Sequence, residues 1–99
     1  MKKVDKSSSA GTEAEQMKVH ELKTVNPFFE NVWSGLKDFD VRKNDRDFKV
    51  GDRIKLVEYG EVKGYVPRYI LKDIKYILKG GQYGIDENYV ILGLKDVVR

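Results

Sequence analysis

The chain has no cysteine, a single histidine (His20), two prolines and no apolar run near the length of a membrane span. Each absence removes a class of function. Without cysteine there are no disulfides, thiolate metal sites or thiol nucleophiles, and one histidine cannot assemble a zinc site of the usual His and Cys kinds. No metal and no other cofactor is expected. A spanning helix needs about 20 consecutive apolar residues, and the N-terminus lacks the apolar stretch of a secretory signal. A soluble cytoplasmic protein with no membrane partner is the expectation. Ninety-nine residues also exclude a multidomain enzyme or a large ligand-enclosing barrel.

What is present suits one small folded domain. Hydrophobic residues make up 40% of the chain, with one Trp, six Tyr and four Phe, enough for a small core despite 35% charged residues. The net charge of +3 is unevenly placed. In residues 1–16, Lys2, Lys3 and Lys6 balance Asp5, Glu13 and Glu15, so the basic excess belongs to residues 17–99. Lys6 to Gln16 has only two alanines to bury, which predicts a disordered leader. The leader could equally be a native tail, an upstream extension or a remnant added for expression. Residues 17–99 form the predicted domain.

Within it, alternation over Lys18 to Lys23 predicts a first strand. Asn26, Pro27 and Glu30 read as a helix start with a capping box, and Gly35 supplies a left-handed stop. The helix between them, Pro27 to about Ser34, carries Phe28, Phe29, Val32 and Trp33 as one apolar stripe, predicted to be buried. Further strands are predicted at 39–42, 53–59, 68–78 (with a break) and 89–94, and the tyrosines at 59, 65, 69, 76 and 89 read as packing residues. One early helix followed by short strands predicts an α+β fold, a small barrel of about five or six strands with one main N-terminal helix.

The densest chemical signal runs from Lys37 to Lys55, where seven basic residues interleave with five aspartates. Interleaved signs usually make a solvated, self-paired loop. Arg42, Lys43, Asn44 and Arg46, however, offer guanidinium forks and an amide within five residues, donors suited to phosphate and base edges. Lys79 to Gly84 is glycine-rich but lacks the Gly-Lys-Ser/Thr ending of a P-loop. It reads as a turn, with Tyr83 as a residue that could stack on a base. His20 reads either as a hydrogen-bonded strand residue or as a substrate contact.

The segment from Gly35 to Arg42, Gly-Leu-Lys-Asp-Phe-Asp-Val-Arg, resembles the G-x-K-x-x-E/D-x-R signature of the ASCH domain, a PUA-like β-barrel associated with RNA. Together with His20 to Lys23, Arg42 to Arg46, Phe48 to Asp52 and Tyr89 to Leu94, it resembles a bacterial and phage subgroup of uncharacterised ASCH-like proteins. The resemblance covers Met17 to about Lys95. It implies a cleft between helix and barrel that receives a nucleotide or short RNA, floored by Lys37, Asp40 and Arg42. An alternative role for those three is structural pairing of helix and barrel. Some ASCH-like proteins are amidohydrolases acting on acetylated cytidine through a lysine, a threonine and a glutamate. Lys37 matches the lysine, but Asp40 stands at the threonine position and no glutamate is matched, so that activity is not carried over.

The expected function is therefore RNA or nucleotide binding by Lys23, Lys37, Arg42, Lys43, Asn44 and Arg46, with Tyr83 in reserve. If Lys37, Arg42 and Arg46 all engage phosphates of a single strand, log affinity should fall with log salt at a slope of roughly −2. Two rivals remain open. One is a small hydrolase or nuclease acting on RNA or modified nucleosides through Lys37, Asp40 and His20; the other is a phage-type protein that binds a host protein.

Overall fold

The computed structural model describes residues 16–62, 64 and 66–98; the predicted leader, Gln16 apart, lies outside them. Six elements follow in order: β1 (Val19–Val25), α1 (Phe28–Trp33), β2 (Phe39–Lys43), β3 (Arg53–Tyr59), β4 (Tyr69–Lys79) and β5 (Tyr89–Asp96). All five strands join one curled sheet in the order β1-β3-β4-β5-β2. β1 lies parallel to β3, and every other pair is antiparallel. The parallel pair needs a long crossover, which α1 and β2 supply.

Alternation decides which side chains enter the core. β1 sends His20, Leu22 and Thr24 inward, β3 sends Ile54, Leu56 and Glu58, and β5 sends Val90, Leu92 and Leu94. Ile74 of β4, Phe48 of the β2–β3 loop, and Phe29 and Val32 of α1 complete the cluster. α1 has six residues, too few to be stable alone, and is held by burying Phe29 and Val32, three apart on one face. The predicted four-residue stripe is narrower in the structure. Phe28 and Trp33 lie outside the core, Trp33 at 48% exposure, because a helix this short presents only one face to the sheet.

The helix start also differs from the capping box. Pro27 is the N-cap residue, Asn26 reaches over it to accept the Glu30 N–H through Oδ1 at 3.0 Å, and the Glu30 carboxylate turns to Arg68. Gly35, at a φ of +85°, ends the helix as predicted. The predicted break in β4 is a bulge. Pairing slips between Ile74 and Tyr76 while the strand continues, and such a bulge bends and twists a strand. At the end of β4, a Cβ on Gly80 would stand 1.8 Å from the Asp86 carbonyl oxygen, so only glycine lets the β4–β5 turn close.

The curl brings the two edge strands, β1 and β2, together, and side chains close the seam between them. Arg42 of β2 donates from Nη1 to the Lys23 carbonyl at 3.1 Å and from Nη2 to Thr24 Oγ1 at 2.6 Å. Arg46 donates from Nη1 to the Glu21 carbonyl at 2.8 Å. The result is a barrel-like sheet laced shut on one side by guanidinium groups.

Candidate functional site

Lys37, Asp40 and Arg42 meet beside that seam. Gly35 turns the chain out of the helix, Lys37 follows on a linker tied by its N–H to the Asn31 carbonyl, and β2 then places Asp40 and Arg42 two residues apart on one face. The Asp40 carboxylate is buried. It accepts from Lys37 Nζ at 3.2 Å through Oδ1 and from Arg42 Nε at 2.6 Å through Oδ2. A carboxylate out of water needs such partners, since an unpaired buried charge is costly.

The three line a cleft of about 390 Å³ between α1, β2 and the end of β1, together with Lys23, Thr24, Val25, Phe28, Phe39 and Val41. Its size is in the range of small-ligand sites and near the lower end. Lys37 Nζ stands 5.3 Å from the ring centroid of Phe28 and 5.3 Å from that of Phe39, so the ammonium sits between two aromatic rings above an acidic floor.

The other predicted site residues are dispersed. Lys43, the last residue of β2, and Asn44, just beyond it, are exposed, and the Asn44 N–H bonds the Asn88 carbonyl. Tyr83 is 87% exposed in the β4–β5 loop. None of the three lines the cleft. Arg42 and Arg46 commit donors to β1, as described above. His20 lies inside the fold, with Nε2 2.9 Å from Asp52 Oδ2 and its ring edge-on to Phe48, and it too is absent from the cleft lining. Burial pushes the Asp52 pKa up, but hydrogen bonds from His20 and the N–H groups of Lys18 and Lys49, with the attraction of His20, hold it below the ordinary carboxylate value.

Sequence reasoning missed a second polar cluster. Glu58, 2% exposed, accepts from the Arg68 N–H and Nε through Oε1, both at 3.2 Å, and from Arg68 Nη2 at 3.0 Å and Asn26 Nδ2 at 2.9 Å through Oε2. Arg68 Nη2 also donates to Glu30 at 2.8 Å, and the guanidinium lies over Trp33 at 4.5 Å and Phe29 at 5.2 Å. Hydrogen bonds to Glu58, then to Glu30, raise the Arg68 pKa above its ordinary value. The signal was present in the alternation of β3, which sets Glu58 on the inward face of Ile54 and Leu56. Another groove, of about 810 Å³, runs past this cluster between Trp33, Tyr69 and Asp96.

Among the described residues, no group of three or more His, Cys, Asp or Glu could hold a metal ion. No helix among them is long and apolar enough to cross a membrane. In comparison with protein families, the one described as Domain of unknown function (DUF3850) matches residues 19–94, from the first residue of β1 into β5. The chain belongs to this family. No curated protein matches it. The DUF3850 match takes in every residue that lines the Lys37–Asp40–Arg42 cleft.

Proposed function

We propose that this DUF3850 chain is a cytoplasmic nucleotide- or RNA-binding module of the ASCH type within the PUA-like superfamily, and that its ligand enters the cleft beside the seam. The observation that carries the reading is the Lys37 ammonium set between Phe28 and Phe39 above Asp40, in a cleft of nucleotide size. Phe28 and Phe39 offer ring faces to a base, and Lys37 and Lys23 offer ammonium groups to phosphate. Asp40 is an acceptor for a base amino group. Arg42 and Arg46 act as positioning residues that hold the seam and the Asp40 carboxylate in place.

Titration of the protein with the four nucleoside 5′-monophosphates and with a short single-stranded RNA, at low salt, tests the assignment. Lys37→Ala should weaken binding at least tenfold, a loss of about 1.4 kcal/mol, while Lys49→Ala, outside the cleft, leaves it unchanged. With two ammonium groups on phosphate, the salt slope for a single strand should be about −1.4. Chromatography of the recovered ligand separates the rival hydrolase reading, which requires conversion. Equal small losses at Lys37 and Lys49, or no binding by folded protein, would refute the assignment and put a protein-binding role ahead.

A further inference from the structure

The outer face of β1, β3 and the first half of β4 carries an arrangement that shares only Lys23 and Val25 with the cleft. Strand alternation points Lys23 and Val25 of β1, Lys55, Val57 and Tyr59 of β3, and Tyr69 of β4 to this face. Both tyrosines, expected to be packed, are exposed, Tyr59 at 50% and Tyr69 at 51%. Register explains their grouping. Val57 pairs with Tyr69 and Val25 with Tyr59, so the tyrosines are diagonal neighbours on adjacent strands, about 7–8 Å apart.

Each ring has its own cation. Lys23 Nζ lies 4.9 Å from the Tyr59 centroid and Lys55 Nζ lies 4.7 Å from that of Tyr69. Among the described residues, neither lysine is in an ion pair, whereas Arg53 in the same face is neutralised by Asp73 at 2.8 Å. Glu21 stands opposite Lys55 in register on this face without pairing to it, and two aromatic faces alternating with two ammonium groups match the alternation of bases and phosphates along a single strand. A protein partner fits less well, since interface cores are depleted in lysine. The face is also continuous with the cleft, because Lys23 and Val25 belong to both.

We infer that the β1–β3–β4 face is a stacking platform for single-stranded nucleic acid, which takes successive bases on Tyr59 and Tyr69 and their phosphates on Lys23 and Lys55 as the strand leaves the cleft. The continuation into the cleft rests on the proposed function; the platform does not. On binding, the lysines swing from the ring faces to the phosphates, and bases replace them over the tyrosines.

Anisotropy with a fluorescein-labelled ten-nucleotide oligouridylate, beside calorimetry with uridine 5′-monophosphate, tests this. Tyr59→Ala and Tyr69→Ala should each weaken the decamer roughly tenfold, within the range for loss of one stacked base. Tyr59→Phe and Tyr69→Phe keep the ring and should retain affinity, so that a loss of fold is told apart from a loss of stacking. Tyr69→Ala should leave monophosphate binding unchanged. If the decamer binds no more tightly than the monophosphate, or ignores both alanine variants, the platform is overturned while the cleft stands. Tyrosine-dependent decamer binding without monophosphate binding supports the platform and overturns the cleft. Absence of binding to either overturns both.

Discussion

Two arginines in this fold do similar chemistry in different enclosures. Arg68 is held by Glu58 and Glu30 at its edges and lies over the rings of Phe29 and Trp33, with 23% of its side chain exposed against 21% for Arg42. Arg42 also bonds a buried carboxylate, but Asp40 turns its second oxygen to Lys37 at the wall of a cleft. Pairing and burial are common to both. A groove runs beside each; what separates a structural knot from a candidate site is that Lys37, Asp40 and Arg42 all line their cleft, whereas Arg68 and Glu58 do not line the groove of about 810 Å³ that passes them.

Breaking the closed cluster should have the largest effect. Glu58→Ala removes a buried carboxylate that accepts hydrogen bonds from Arg68 and Asn26 and should destabilise the domain by about 3–5 kcal/mol, read as a fall in the urea midpoint. Against the 5–15 kcal/mol of a typical domain, that is close to unfolding. A shift below 1 kcal/mol would show that the cluster does not hold the helix.

The open cluster should tolerate more. Asp40→Asn keeps the shape but loses charge-assisted bonds to Lys37 and Arg42, for a cost of about 1.5–3 kcal/mol and a looser seam. If its cost equals or exceeds that of Glu58→Ala in the same urea series, the contrast between the clusters fails. Trp33→Ala comes next, at about 1 kcal/mol, because the half-exposed ring stacks on Arg68 and on the outer side of Phe29 without itself entering the core. A buried Trp would cost about 3–5 kcal/mol, so a calorimetric melt decides between the two.

Asp52 should give the smallest effect, present at neutral pH and lost in acid. Its pKa is lowered on folding, so its stabilisation is complete above the unfolded value near 4 and is lost as pH falls through the lower folded value. Urea midpoints at pH 7 and pH 3 should therefore converge in Asp52→Asn relative to the parent. An unchanged pH dependence would remove Asp52 from the acid response.

These contrasts also show what the sequence made legible. Strand positions were readable to within a residue or two, because alternation and glycine turns are local signals, and the meeting of Lys37, Asp40 and Arg42 was expected from the signature that Gly35 to Arg42 resembles. Trp33 was misjudged because helical spacing marks a face without saying how much of a short helix the sheet can cover. Arg68 and Glu30 were invisible for a different reason, being 38 residues apart and joined only when α1 packs over the β3–β4 connection. Tyr59 and Tyr69 looked like core because tyrosine favours strands on either face. The parity of β3 contained the answer, since Tyr59 alternates with Glu58, Leu56 and Ile54.

The guanidinium lacing of the seam has a consequence for how the protein behaves in a crowded solution. β1 and β2 are edge strands, and unpaired strand edges recruit strands from other molecules. Arg42 and Arg46 occupy the carbonyls of Lys23 and Glu21, two residues apart on the same edge of β1, with donors that no incoming strand can displace without leaving a cation unsatisfied. The same contacts that shape the cleft wall thus guard the chain against edge-to-edge aggregation, and a variant without them should associate before it unfolds.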